Sequence, residues 1–223
     1  MSVVLFDLDG TLVDTAHDLG LALNIQLERH GKQALPHDDI WPVASHGSQG
    51  LLALGFDITP ADSCYEAMRI EYLDLYHSVF TNKPILLPGI AELLDTLDTK
   101  GIKWGIVTNK PRRFSVDLIK AVRLGSGDLA QRSVCLVCGD DALQPKPAPD
   151  TLFMACKETN SDPSDCIYVG DAERDVQAGK AAGMKTVVAL FGYIASTDKP
   201  LEWGADALIK TPNDLLDYMS LSV

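Results

Sequence analysis

The 223-residue sequence is short of positive charge: 19 lysines and arginines stand against 31 aspartates and glutamates, a formal net charge of −12 at neutral pH. No basic stripe offsets that field, which argues against nucleic acid or an anionic membrane surface as a partner. A site for an anionic substrate would therefore have to be positive locally. Cysteine is scarce and odd in number, the five being Cys64, Cys135, Cys138, Cys156 and Cys166. Such a set fits reduced, individually packed thiols better than a disulfide framework. Cys135 and Cys138 make a CxxC, but "SVCLVCG" reads as a buried strand and no second pair stands at metal-ligand spacing, so the pair is read as structural. Long apolar runs are missing. No stretch approaches a membrane span, and the run from Val3 to Phe6 is too short, and lacks the basic flank, for a secretory signal. A cytoplasmic location is expected.

What is present describes an ordinary globular chain, 46% hydrophobic and 22% charged, long enough for one large domain or a domain with a sizeable insertion. Strand-like runs recur between helix-like segments: "VVLF" at 3–6, "KWGIVT" at 103–108, "VCLVC" at 134–138, "CIYVG" at 166–170 and "TVVAL" at 186–190. That alternation predicts an α/β fold with a parallel sheet covered by helices on both faces. Residues 16–83 break the rhythm and read as helices. One helix is expected to run from Ala16 with Thr15 as its cap and Gly31 as its stop, and another from Pro60 with Thr59 as its cap. A block longer than a crossover needs, placed directly after the first strand, reads as a cap inserted into a core made of residues 1–15 and 84–223.

The first strand ends in Asp7 and Asp9 with one leucine between them. Side chains two apart on an extended segment point the same way, so the two carboxylates crowd one place unless the chain turns or a cation sits there. Other strand ends carry matching groups. The run ending at Val107 delivers Thr108 and Asn109, "QPKPAPD" holds Lys146 between two prolines, and "VGDAERD" supplies Asp171 and Asp175. The two last aspartates are expected one helical turn apart on one face, where like charges need neutralising. Ligands of open α/β sheets bind at the carboxyl ends of the strands. Gathered there, these oxygens suit a hard divalent cation, most naturally Mg2+, with Lys146 and the metal together offsetting Asp7 and Asp9 and the site receiving phosphate.

"DLDGTLVDT", "VTN", "KPAP" and "VGDAERD", in that order, resemble the four motifs of the haloacid dehalogenase superfamily. The resemblance spans essentially the whole chain. It implies a Rossmann-like core with a helical cap inserted after the first strand, Asp7 as the nucleophile that takes up the phosphoryl group, and Asp9 as general acid and then base. It further implies that Thr108, Asn109 and Lys146 bind phosphate. Mg2+ is implied to be held by Asp7, the backbone carbonyl of Asp9 and Asp171, with Asp175 positioning the metal shell. An acid at Asp9 favours phosphatase over dehalogenase, because a leaving alkoxide needs a proton and a halide does not. The expected substrate is a small soluble phosphate monoester, the protein being a monomer or weak homodimer.

"VTNKP" at 107–111 followed by Phe114, and "FGYI" at 191–194, resemble the phosphoglycolate phosphatases, which makes that activity the leading expectation. "WGAD" at 203–206 with "WGIVTNKPRRF" resembles the N-acetylmuramate 6-phosphate phosphatases, the rival; a sugar-phosphate mutase of the same superfamily is a further alternative. The expected selector is the segment "ASHGSQG" in the cap, read as a flexible polar loop with Ser45, His46, Gly47 and Ser48 facing the leaving group. A histidine here departs from the asparagine-containing loop usual in phosphoglycolate phosphatases. The loop's small side chains and two glycines lean toward the bulkier ligand.

Overall fold

The computed structural model describes residues 3–125 and 127–221. The first strand, β1 (Val3–Phe6), is followed by β2 (Val13–Asp14) and four helices, α1 (Ala16–Arg29), α2 (His37–Ile40), α3 (Gly47–Phe56) and α4 (Tyr65–Val79). The chain returns through β3 (Ile85–Leu86), α5 (Ile90–Thr99) and β4 (Lys103–Val107), then α6 (Arg112–Ala121), the small ribbon β5 (Arg123–Leu124) and β6 (Gly127–Asp128), and α7 (Leu129–Arg132). It ends with β7 (Leu136–Val137), α8 (Asp150–Thr159), β8 (Cys166–Gly170), α9 (Glu173–Ala182), β9 (Lys185–Ala189), β10 (Ala207–Ile209) and α10 (Asp214–Leu221).

Six strands form one parallel sheet in the order β10-β9-β8-β1-β4-β7. β1 lies inside it and is buried on both faces, which its unbroken apolar run requires. Val4 and Phe6 pack into the larger core with Leu94 of α5, Leu118 of α6 and Leu215 of α10. Val3 and Leu5 point the other way, into a second core with Leu152 of α8 and Ala178 of α9. The parallel α/β architecture is as the alternating pattern predicts. β10 escaped the sequence pattern because it has three residues, only one of them buried. The expected strand at 134–138 shrinks to the two residues of β7 at the sheet edge. All five cysteines are free thiols, and burial pushes Cys135 up to about 12 and Cys138 up to about 11.

The helical block from α1 to α4 leaves and rejoins the core through an antiparallel ribbon, Val13 pairing with Leu86 and Asp14 with Ile85. Its apolar residues are continuous with the larger core: Tyr76 of α4 and Phe80 just after it pack on Phe114 of α6, ring centroids 5.1 and 5.4 Å apart. Two helix starts differ from expectation. α4 begins at Tyr65 and not at Pro60, because the Asp62 carboxylate accepts hydrogen bonds from the Thr59 N–H (2.8 Å) and hydroxyl (3.0 Å) and closes a separate turn. Thr15 precedes α1 but makes no side-chain cap; its hydroxyl has another partner. The segment expected as a flexible loop is helical throughout, a 3-10 turn over Trp41–His46 running into α3 at Gly47.

Candidate active site

In an open parallel sheet the crevice opens where neighbouring strands lead their connections in opposite directions. Here that point is β1, paired with β8 on one side and β4 on the other, with Phe6 in register with Val169 and Ile106. The Asp7 N–H continues the ladder to the Val169 carbonyl at 2.8 Å, and the Thr108 N–H donates to Val137 at 2.9 Å. The register thus carries Asp7, Thr108 and Asp171 to one rim of the sheet.

Lys146 is the pivot of this rim. Its side chain is wholly buried, and its ammonium donates to Asp175 Oδ1 (2.7 Å), the Tyr168 hydroxyl (2.6 Å) and the Val107 carbonyl (3.2 Å). Those three acceptors account for the three protons of an ammonium. Asp7 Oδ1 lies 2.9 Å from the same nitrogen, at ion-pair distance, yet without the alignment of a directed hydrogen bond, and this buried oxygen has no hydrogen-bond donor. Carboxylate oxygens of Asp7, Asp171 and Asp175 lie within 4.8 Å of one another, all three residues being buried. Burial, partly countered by Lys146, raises the Asp7 carboxyl. Burial and then the charges of Asp7 and Asp175 push Asp171 up to about 8. Burial also works against the Asp175 charge, but Lys146 and Arg174 outweigh it and hold that carboxyl low. Three carboxylates against the two cations Lys146 and Arg174 leave one acid more than they can offset in a dry place, and an Asp7 oxygen without a donor faces it. An oxygen-seeking cation fits this set.

Asp171 and Asp175 do not share a helix face as the spacing suggested. Asp171 directly follows β8, Ala172 is the cap position of α9, and Asp175 turns back in the first turn to accept the Ala172 N–H at 3.0 Å. Asp171 takes the Tyr193 N–H at 2.8 Å and the Thr11 hydroxyl at 3.4 Å. Gly10 makes this possible. Its φ is +79°, and an added Cβ would fall into the Asp171 carboxylate and 2.6 Å from the Tyr193 ring.

Asp9 is separated from Asp7 by the turn that follows, and Lys146 does not neutralise it, contrary to expectation. Its Oδ1 instead accepts from Lys110 Nζ at 2.9 Å and from the Thr15 hydroxyl at 2.6 Å. Lys110 also lies over the Tyr76 ring, 4.8 Å from its centroid. Sequence reasoning missed this lysine although "VTNKP" contains it, with Pro111 restraining the chain behind it as Pro147 does behind Lys146. Thr108 is buried at the rim, and its hydroxyl accepts the Lys110 N–H at 3.1 Å. Asn109, expected to contact phosphate, spends its side-chain amide on the Lys146 backbone: Nδ2 donates to the carbonyl at 2.8 Å and Oδ1 accepts the N–H at 2.9 Å. These two bonds make it a brace for the Lys146 loop, with one Nδ2 proton left over. Tyr193 is a second omission. Its hydroxyl accepts the Thr15 (2.7 Å) and Ala16 (3.0 Å) N–H groups and bonds Asp14, joining the start of α1 to the Asp171 loop.

A cavity of about 570 Å3 opens beside Asp171. Of the four residues expected to select the leaving group, Ser45 and His46 line it, while Gly47 and Ser48 lie beyond its wall in the first turn of α3. The remaining wall comes from the core, from the Asp171–Gln177 segment and from Tyr193–Trp203. Arg174 joins the two sides, with Nη2 donating to the Ser45 carbonyl (2.7 Å) and hydroxyl (2.8 Å). Burial opposes its charge, but Asp175, Asp7 and Asp171 more than restore it.

Comparison with known proteins agrees with this geometry. Residues 4–189 match the family model of the haloacid dehalogenase-like hydrolases. An N-acetylmuramic acid 6-phosphate phosphatase of Pseudomonas putida is 38% identical over 215 residues, 96% of this chain and 94% of that protein. A phosphoglycolate phosphatase of Xanthomonas campestris is also 38% identical, over 212 residues, 95% and 93% of the two chains. Among solved structures, a hydrolase from Pseudomonas syringae superposes with a TM-score of 0.73 at 26% identity, covering both chains fully. A predicted phosphoglycolate phosphatase from Haemophilus somnus shares the fold at a TM-score of 0.81 and 22% identity, with 98% of each chain covered. Motifs, sheet topology and a buried triad of aspartates thus converge, and the chain belongs to the haloacid dehalogenase-like hydrolases.

Proposed function

We propose that the protein hydrolyses a phosphate monoester with a ring-sized leaving group, using Mg2+ and passing through an aspartyl-phosphate on Asp7. The observation that carries this reading is the division of charge at the rim. One carboxylate, Asp7, sits beside a buried lysine and two further carboxylates, while a second, Asp9, is held apart by its own lysine and a threonine hydroxyl. The carboxylates of Asp7 and Asp171 and the carbonyl of Asp9 would hold the metal, with Asp175 orienting Asp171 and Lys146. Bound there, Mg2+ would supply charge neutralisation for the phosphoryl oxygens.

Asp7 attacks phosphorus, forming a carboxyl–phosphate bond as the ester bond breaks, and Asp9, which must enter this step as the carboxylic acid, gives its proton to the departing alkoxide oxygen. Asp9, now a carboxylate, takes a proton from water. The resulting nucleophile attacks the same phosphorus and releases inorganic phosphate, returning Asp7 to its free form. Thr108 binds a phosphoryl oxygen, Lys146 offsets the phosphoryl charge through its ammonium, and Asn109 keeps the Lys146 loop in register. Residues 16–83 act as the cap that shields these steps from bulk water.

Cavity size supports the substrate class. About 570 Å3 beside Asp171 is within the range that encloses drug-sized ligands, roughly 300–1,000 Å3, and a two-carbon acid would leave most of it unfilled. The amino-sugar phosphate named for the Pseudomonas putida relative suits that space. Phosphoglycolate, named for the Xanthomonas campestris relative, is the second reading. A panel of N-acetylmuramate 6-phosphate, 2-phosphoglycolate, hexose phosphates and nucleoside monophosphates, assayed for phosphate release with Mg2+, is expected to give the highest kcat/KM for the amino sugar. A sugar 1-phosphate in the same panel is expected to yield free phosphate; an isomerised sugar phosphate instead would make the protein a mutase. No phosphate from any member would refute the reading.

A further inference from the structure

The cavity is walled mainly by the core. Only Ser45 and His46 reach it from the helical insertion, so the insertion alone cannot shape what binds there. Its wall carries two cations, Arg174 and Lys199. Lys199 is exposed and already pairs with Glu202 at 3.3 Å, one helical turn on. Arg174 is placed differently. It stands in the first turn of α9, next to Asp175, so it reaches the cavity from the same segment that carries Asp171 and Asp175. Both of its bonds to Ser45 leave from Nη2, so the Nε–H and the two Nη1 protons are the donors not spent on Ser45. Nε and Nη1 point to different sides of the guanidinium, so each offers an anion a single charge-assisted bond.

Trp203 supplies the apolar part. It closes the 3-10 turn Pro200–Glu202, is half-buried, and lines the same cavity. Tyr193 also lines it but is committed on both sides: its hydroxyl holds the start of α1 and its ring packs edge-on to Trp41 at 4.7 Å. An indole offers a broad flat surface and one N–H, a combination that serves a ring with an apolar face and polar rim.

We propose that Arg174 and Trp203, both on the core, are the residues that select the leaving group, Arg174 binding an anionic substituent and Trp203 covering the ring that bears it. The inference rests on the phosphatase reading given above. With a net charge of −12 on the chain, a leaving group that carries a carboxylate is repelled everywhere except at such a fixed cation. Ser45 then has a definite part. Its carbonyl and hydroxyl fix the Arg174 guanidinium through Nη2, and this is how the insertion takes part in selection.

Four esters separate the two contributions: N-acetylmuramate 6-phosphate has ring and carboxylate, N-acetylglucosamine 6-phosphate the ring alone, 2-phosphoglycolate the carboxylate alone, and ethyl phosphate neither. Arg174→Gln is expected to lower kcat/KM for the carboxylate-bearing sugar at least about tenfold relative to the sugar without it, mainly through KM. Arg174→Lys should recover part of that ratio, since it keeps the charge and loses the guanidinium. Trp203→Ala should lower the ratio of sugar ester to two-carbon ester by a similar factor. Equal losses on all four esters for Arg174→Gln would assign it to the charge balance of the triad and overturn the proposal. So would a panel ranking that moves with His46→Ala and not with either core variant. If Arg174→Gln fails to fold, Arg174→Lys and Trp203→Ala decide by the same ratios. Wild-type protein that releases no phosphate from any of the four defeats the phosphatase reading itself; wild-type activity with unmoved ratios defeats this inference alone.

Discussion

Lys146 and Lys110 divide the labour that a single lysine was expected to do. Lys146 has exhausted its donors on Asp175, Tyr168 and Val107, and so meets Asp7 by charge alone. Lys110 attends to Asp9. The consequence is that the two carboxylates can be removed with different effects. Asp7→Asn is expected to cut turnover by about 10^4-fold or more, as loss of an attacking group does, while thermal stability holds or rises because a buried charge facing Asp171 and Asp175 is gone. Phosphate release near the wild-type rate would remove Asp7 as the nucleophile. Asp9→Asn is expected to lose much more rate on alkyl than on aryl esters, since an aryl oxide leaves without a proton. Equal loss on both would make Asp9 merely the structural partner of Lys110.

At the scale of elements, the site depends on short connections pinned by carboxylates. Asp175 caps α9, and Asp206 does the same work one strand further along, accepting the Thr186 N–H (2.8 Å) and hydroxyl (3.2 Å) and the Lys185 ammonium (3.0 Å). It fastens the start of β10 to β9. Burial works against the Asp206 charge, but the Thr186 N–H and Lys185 outweigh it, so the folded carboxyl titrates lower than usual. A folded pKa below the unfolded one gives stabilisation that is complete above the unfolded value and lost as pH falls through the folded value. Asp206→Asn is therefore expected to cost about 1 kcal/mol at pH 7, with the gap to wild type closing below about pH 4. Denaturant unfolding at both pH values checks it; a gap that persists in acid would mean the loss is one of packing.

For the whole molecule the controlling quantity is unbalanced negative charge. The chain carries −12 overall and concentrates three buried carboxylates against two cations, Lys146 and Arg174. A cation that binds only the folded state adds RT ln(1 + [L]/Kd), about 2.7 kcal/mol at a hundredfold excess over Kd, which for a protein of this size is a Tm rise on the order of 5–10 °C. Saturating Mg2+ is expected to give such a rise and Asp171→Asn to abolish most of it; chelation should abolish phosphate release and Mg2+ restore it. Ca2+ should bind but support little turnover, its looser shell misplacing the reacting oxygens. Full activity and an unchanged Tm after exhaustive chelation would rule the metal out. No helix among the described residues is long and apolar enough to cross a membrane.

The sequence by itself determined the class of fold and the members of the rim. Unbroken apolar runs can be buried only in a sheet covered on both faces, and aspartates, threonine and lysine at their carboxyl ends have only one edge to meet at. It did not determine pairing. Which lysine meets which carboxylate depends on side-chain direction after a turn, so Lys110 went unnoticed, as did the bracing of the Lys146 backbone by the Asn109 amide. Helix starts were equally out of reach, because Asp62 and Thr15 make local or tertiary bonds that a propensity cannot anticipate. The wall of the cavity was decided by the tertiary structure alone: Ser45, Arg174 and Trp203 are far apart in the chain, and folding of the sheet and its helical insertion places them around one space.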